Sequence, residues 1–235
     1  MNIKAVLFDL DGTLLPQDQN VFIGVYFKEL IKALSPLGAD ARELEAAVWQ
    51  GTGSMIKNDG SKTNEQAFFD TFRSLCRVDM ERFSDLADSF YSTNYKKLAK
   101  YTAPTPLASQ AVEYARRGGR AVVLATNPLF PAIAQNTRIE IAGLSPDDFD
   151  FVTSYENEMY SKPNPKYYLS IAERLGVEPC ECLMIGNDEG EDMYAASSVG
   201  MNCYLVEDCL IPSEKYKWQG ERGSLAELVE ALKVL

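Results

Sequence analysis

The chain has 235 residues, 46% of them hydrophobic and 24% charged, and 23 Lys and Arg stand against 34 Asp and Glu for a formal net charge of −11. This composition suffices for a buried core, which excludes intrinsic disorder, and its acidic surplus excludes nucleic-acid binding through a broad basic face. With typical domains near ~150 residues, the length predicts one large domain or two unequal ones.

Ile3 to Phe8 is a short apolar, partly β-branched run that ends at Asp9-Leu10-Asp11-Gly12, as a buried strand entering a turn does. From Asn20 to about Lys100 the pattern is helical. Phe22, Val25, Tyr26, Leu30, Ile31 and Leu34 recur at helical spacing until Ser35-Pro36. Glu43 to Trp49 predicts a second short helix, and the polar, glycine-rich stretch Gly51 to Gly60 predicts a loop. Thr63 and Gln66 form a capping box ahead of a helix carrying Phe68, Phe72 and Leu75. Met80, Phe83, Leu86, Phe90 and Tyr91 mark another helix, and the aromatic residues of this block read as its core.

Beyond Pro104 and Pro106 helix and strand alternate. A helix is expected over Leu107 to Arg117, ending at Gly118-Gly119, and a strand over Ala121 to Ala125. Pro131 to Ile141 is helical, Phe149 to Thr153 a strand and Pro165 to Leu175 helical. A strand over Cys182 to Ile185, a helix over Asp192 to Val199, a strand over Cys203 to Val206 and a helix over Ser224 to Leu235 complete the chain. The alternation predicts an α/β fold, a doubly wound parallel sheet with helices on both faces. The helical block cannot belong to that sheet. It is expected to be an inserted helical cap domain, residues 16–104, in a discontinuous core domain of residues 1–15 and 105–235.

The chain contains no histidine, so Ser-His-Asp and Cys-His catalysis is excluded. Its five cysteines, Cys76, Cys180, Cys182, Cys203 and Cys209, are odd in number and irregular in spacing. They read as reduced thiols, not as a disulfide framework or a zinc site. Aspartates follow the first apolar run directly, unlike a signal peptide, and no run of ~20 apolar residues occurs, so a cytoplasmic protein without a membrane span is expected. A monomer or weak homodimer is expected as well.

Ligands of an open parallel sheet bind beyond the carboxyl ends of the strands. There the first strand delivers Asp9 and Asp11, and the second delivers Thr126 and Asn127. Lys162 follows the third. The fourth delivers Asn187 and Asp188, with Glu189, Glu191 and Asp192 close behind. Taken alone, Thr126-Asn127 reads as a helix cap, and Glu189 and Glu191 read as acids favoured at a helix start. Together, carboxylates converging on one crevice need a cation. Oxygen-only ligands at a partly open site suit Mg²⁺ shared with a phosphate. Lys162 would add positive charge beside phosphoryl oxygens, and Gly12 would let the backbone approach them.

The string Phe8-Asp9-Leu10-Asp11-Gly12-Thr13-Leu14 resembles the first motif of the haloacid dehalogenase-like (HAD) hydrolase superfamily. Ala125-Thr126-Asn127, Ser161-Lys162-Pro163 and Gly186-Asn187-Asp188 with Asp192 are similar to its three further motifs, in order. The helical insertion resembles the helical-cap subgroup, which implies a Rossmann-like core. The resemblance implies Asp9 as nucleophile and metal ligand. It implies Asp11 as the acid and base that also binds metal through its backbone carbonyl. Gly12, Thr13, Thr126, Asn127 and Lys162 would hold the phosphoryl group, with Thr126 and Lys162 also counted as catalytic. Asn187, Asp188 and Asp192 would complete the Mg²⁺ shell, with either Asn187 or Asp188 as the direct ligand. Dehalogenating members lack the second aspartate, so Asp11 implies phosphoester chemistry. Leu15-Pro16-Gln17 departs from the acidic or small polar residue that many helical-cap members carry there.

The function expected is a Mg²⁺-dependent phosphatase acting on a small phosphorylated metabolite through an aspartyl-phosphate. A sugar phosphomutase and a catalytically idle ligand-binding or regulatory relative are the alternatives. Gly51 to Gly60, with Met55, Lys57 and Asn58, is either a substrate-reading loop or a plain surface connection. The Cys180/Cys182 pair reads as inert packing.

Overall fold

The computed structural model describes residues 2–235; Met1, the first residue of the expected core segment, lies outside them. Strand β1 (Ala5–Phe8) is buried along its whole length. The chain then enters a helical block: α1 (Gln19–Leu34), α2 (Ala41–Ile56), α3 (Asn64–Leu75) and α4 (Met80–Ser89). Asp18, Asp40 and Asp79 cap α1, α2 and α4 by accepting backbone N–H groups of the first turn. The Thr63–Gln66 capping box of α3 forms in both directions. After α4 the helix widens into a π-type turn over Phe90–Asn94 and then tightens into a 3-10 stretch over Tyr95–Tyr101.

The α/β part follows with α5 (Leu107–Arg116), β2 (Ala121–Leu124), α6 (Ala132–Ile141), β3 (Phe151–Val152), α7 (Pro165–Leu175) and β4 (Cys182–Gly186). A wide turn over Glu189–Tyr194 leads into α8 (Ala195–Ser198), then β5 (Asn202–Val206), β6 (Arg222–Gly223) and α9 (Leu225–Leu232). The sheet order is β3-β2-β1-β4-β5-β6, with every neighbouring pair parallel. The alternation of β1 sends Val6 and Phe8 to one face and Ala5 and Leu7 to the other. On the first face they meet α5 and α9 through residues such as Ala111, Val112, Leu228 and Leu232. On the second they meet α7 and α8 through Tyr167, Tyr168, Ile171 and Ala196. This is the doubly wound architecture expected from the alternation.

The helical block builds a second apolar cluster from Phe22, Tyr26, Phe72, Phe90, Tyr91 and Tyr95 among others, and Ala134 of α6 joins it. Within it the Tyr26 and Tyr91 hydroxyls hydrogen-bond at 2.8 Å. The chain enters and leaves this block side by side. Gln17 forms an antiparallel bridge with Thr102, and the Ala103 N–H donates to the Pro16 carbonyl at 2.8 Å.

Several expectations need correction. Gly51 to Ser54 are helical, because α2 runs through them to Ile56 rather than stopping at Trp49. Gly51 is required there by contact: a Cβ would lie 2.7 Å from the Phe68 ring of α3. Met55 is buried in α2, and Asn58 is buried against the Lys62 carbonyl and Asn64. The Ser161 hydroxyl donates to the Met55 carbonyl, and none of residues 51–60 lines the crevice at the strand ends. β3 has two residues where five were expected, and the helix expected from Asp192 becomes regular only at Ala195. β6 had no counterpart in the expectation. All five cysteines are free, and among the described residues no helix is long and apolar enough to cross a membrane.

Candidate active site

β1 places Asp9 and Asp11 at the carboxyl edge of the sheet, where the chain turns sharply. The Asp9 N–H donates to the Ile185 carbonyl of β4 at 2.8 Å, and the Gly12 and Leu15 N–H groups close the turn. Gly12 sits at φ +87°, a left-handed conformation. A Cβ on it would lie 2.3 Å from Asn187 Nδ2, so only glycine allows the first and fourth motifs to touch.

Lys162 is 1% exposed, and its ammonium donates to Asp9 Oδ1 at 2.8 Å and to Asp192 Oδ1 at 2.6 Å. One buried cation thus ties three of the four strand-end segments together. Burial, helped by Asp192 and Asp11, pushes Asp9 up to about 7 against the pull of Lys162. Burial works against the ammonium too, yet Asp192 and Asp9 together hold Lys162 well above its ordinary range.

Asp192 is fully committed. Its other oxygen accepts the N–H groups of Asn187 and Asp188, both at 3.1 Å. A Cβ on Gly186 would collide with that carboxylate at 2.2 Å, so glycine is needed for the approach. Asp192 thus orients Lys162 and the fourth-motif turn. The Thr13 hydroxyl donates to Asn187 Oδ1 at 3.1 Å, and Asn187 Nδ2 donates to the Cys209 carbonyl at 2.7 Å. Both side chains tie loops together at the edge of the site.

Asp188 is different. Its Oδ1 accepts the Gly190 and Glu191 N–H groups at 2.7 Å, capping the next turn, while Oδ2 accepts no hydrogen bond from the described residues. Burial, with Asp192 adding, raises its pKa. Thr126 is 2% exposed and lines the same cavity. Its carbonyl is held by the Thr153 and Tyr167 hydroxyls. Asn127 donates to Glu191 Oε2 at 2.9 Å, and burial raises Glu191 to about 7.

Asp11 brings in residues absent from the expected site. Its Oδ1 accepts from Gln17 Nε2 at 2.9 Å, and its Oδ2 pairs with Arg138 Nη1. Arg138 is 1% exposed, on α6. Its other terminal nitrogen bonds Gln135 Oε1, and its guanidinium lies 4.3 Å from the Phe130 ring centroid. The one signal in the sequence was Gln135 and Arg138 three residues apart, which puts both on one face of the helix.

Asp9, Asp11, Thr126, Arg138 and Asp188 line a cavity of about 130 Å³, and Gln17, Asp188 and Glu191 connect it to an outer groove of about 820 Å³. Five carboxylates, Asp9, Asp11, Asp188, Glu191 and Asp192, meet two cations, Lys162 and Arg138. Among the described residues no three His, Cys, Asp or Glu side chains converge as a metal cluster. The oxygens there that accept no hydrogen bond from the described residues include the second oxygens of Asp9 and Asp188 and the Asp11 carbonyl. An oxygen-only set this small, facing excess negative charge, fits a cation that keeps several waters, as Mg²⁺ does.

Residues 3–200 match the family model for haloacid dehalogenase-like hydrolase. The chain is 31% identical over 208 residues to Phosphatase MT3486 of Mycobacterium tuberculosis, covering 88% of each chain. It is 30% identical over 210 residues to the phosphoglycolate phosphatase of Nitrosospira multiformis, covering 87% of this chain and 83% of that one. The solved HAD phosphatase of Thermococcus onnurineus superposes with a TM-score of 0.60 at 27% identity over 98% of both chains. With its motifs, its sheet and these likenesses in agreement, the chain belongs to the haloacid dehalogenase-like hydrolases.

Proposed function

We propose that this hydrolase is a Mg²⁺-dependent phosphatase that cleaves a small phosphorylated metabolite through an aspartyl-phosphate on Asp9. The observation that carries the reading is the buried Lys162 ammonium between Asp9 and Asp192, with a spare Asp188 oxygen and Asp11 on the same cavity. Similarity to the two named phosphatases supports phosphoester chemistry.

The free oxygen of Asp9 attacks phosphorus as the bond to the leaving oxygen breaks. Asp11 delivers a proton to that oxygen, then accepts one from the water that splits the aspartyl-phosphate and frees Asp9 and inorganic phosphate. Both Asp11 oxygens are hydrogen-bonded, so one of these bonds must yield during transfer. Lys162 and the Thr126 hydroxyl face the phosphoryl oxygens as charge develops. Mg²⁺ would be held by Asp9, Asp188 and the Asp11 carbonyl, and it supplies charge neutralisation between carboxylates and phosphate. Residues 16–104 act as the cap over a core of residues 1–15 and 105–235, excluding bulk water and selecting the substrate.

Purified protein should hydrolyse p-nitrophenyl phosphate with Mg²⁺, stop on chelation with EDTA and recover when Mg²⁺ is restored. Absence of turnover with Mg²⁺, or turnover indifferent to chelation, contradicts the reading.

A further inference from the structure

Besides the chain crossing at Gln17 and Thr102, the helical block is fastened to the core at a second place, and Asn64 stands at its centre. Asn64 is 0% exposed. Its amide nitrogen donates to Ser161 Oγ at 3.0 Å and to the Pro128 carbonyl at 3.2 Å, with the Tyr160 carbonyl beside them at 3.4 Å. Carbonyls only accept, so the NH₂ must face the core, and the amide oxygen turns back to accept from Asn58 Nδ2 at 2.9 Å. The backbone joins in. A helix leaves its first N–H groups without partners of its own, and those of Asn64 and Glu65 donate to the Glu158 and Tyr155 carbonyls, both at 2.8 Å. A Cβ on Gly60, at φ +92°, would lie 2.2 Å from the Tyr160 hydroxyl oxygen, so glycine lets the two segments approach.

Chain order decides what these bonds hold. Pro128 follows Asn127 directly, and Ser161 directly precedes Lys162. One side chain therefore grips both the loop behind β2, which carries Thr126, and the loop behind β3, which carries Lys162. Thr126 lines the inner cavity and Lys162 bonds Asp9. None of residues 51–65 lines that cavity or the outer groove, so Asn64 acts through the two loops and not on a substrate. A block tied at Gln17 and Thr102 alone could swing about that point, and a buried second attachment removes the freedom.

We propose that Asn64 is a positioning residue for the reaction. From the helical block it sets the spacing between the Thr126 and Lys162 loops, and with it the places from which both groups meet the transferring phosphoryl group. The proposal rests on the phosphatase reading above for its kinetic readout.

The test uses the full chain with Mg²⁺ and p-nitrophenyl phosphate, well below the melting transition. Asn64→Ala is compared with Thr63→Ala, which removes the exposed cap of the same helix and touches no core loop. Thr63→Ala should melt about 2–4 °C lower and keep its turnover. Asn64→Ala should lower kcat by about tenfold or more and leave KM within about threefold, because a small misplacement of groups that meet developing charge is felt in the transition state. A smaller fall in kcat, a loss carried by KM alone, or an equal fall in Thr63→Ala overturns the proposal. If Asn64→Ala does not fold, Asn64→Asp, which keeps the shape and removes the donors, is held to the same comparison. Hydrogen exchange on the wild type needs no variant. The Asn64 and Glu65 amides should exchange about tenfold or more slower than those of Arg42 and Glu43, which open α2 on its own exposed cap, Asp40. Equal rates overturn the proposal. Wild-type protein inactive on the aryl phosphate overturns the phosphatase reading, and the exchange rates then still judge the attachment.

Discussion

Lys162 makes two ion pairs at once with almost no access to water, and each carboxylate it touches depends on it. Removing it strands Asp9 and Asp192 opposite one another without a counter-charge, and breaking a buried pair from one side costs about 3–5 kcal/mol. Lys162→Met should therefore lower thermal and urea stability by that amount. A melting temperature equal to the wild type would contradict the buried geometry. At this scale Asp9, Asp11 and Thr126 were legible because each closely follows a strand end, where the sheet converges such positions, and Lys162 because it stands before Pro163 in the segment leading into α7. Thr13, Asn187 and Asp192 were legible as neighbours of the site, but their contacts with other loops were not. Close approach at Gly12 and Gly186 turns their side chains onto other loops, which no spacing rule reveals. Arg138 was not legible, because an arginine within a helical run has the appearance of a solvated charge until its partner Asp11, 127 positions away, is known.

At the scale of elements, α2 contradicts the local signal. Glycines at positions 51 and 53 suggest a loop, since each weakens a helix interior, but tertiary packing overrides that preference. Thr52 and Ser54 hydrogen-bond back to carbonyls of α2 itself, and Ser54 also reaches the Ala67 carbonyl of α3. The two glycines are not equivalent. Gly51 lies against Phe68, itself stacked on Phe72 with centroids 5.9 Å apart, whereas a Cβ on Gly53 would meet nothing within 4 Å. Gly53→Ala should stabilise the protein by about 0.5–1 kcal/mol by helix propensity alone. Gly51→Ala should destabilise it by about 1–3 kcal/mol through overpacking. Calorimetric melting of the two variants checks the pair, and a stabilising Gly51→Ala would contradict the α2–α3 packing. β6 and the short length of β3 were illegible for a simpler reason: two residues carry no periodicity.

Across the whole molecule, alternation of strand and helix was enough to predict a doubly wound sheet, because a parallel sheet needs both faces covered. The order of strands was not predicted, and it is the order that matters for chemistry. β1 lies between β2 and β4, so Asp9 and Asp11 stand between the loops carrying Thr126 and Asp188. The helical block meets this edge through Gln17 at the point where the chain crosses between the two parts, and α6 contributes Arg138 from the core side. The central claim is that one carboxylate in this arrangement, Asp9, takes the phosphoryl group. Asp9→Asn leaves Lys162 paired with Asp192 and changes the shape of the side chain little, so circular dichroism and melting should stay close to the wild type. The deciding measurement is the Mg²⁺-dependent rate of p-nitrophenyl phosphate hydrolysis by this variant. The account predicts a fall of about a thousandfold or more, as for loss of a group acting only in the transition state. A folded Asp9→Asn protein that turns over at a near-wild-type rate would contradict it.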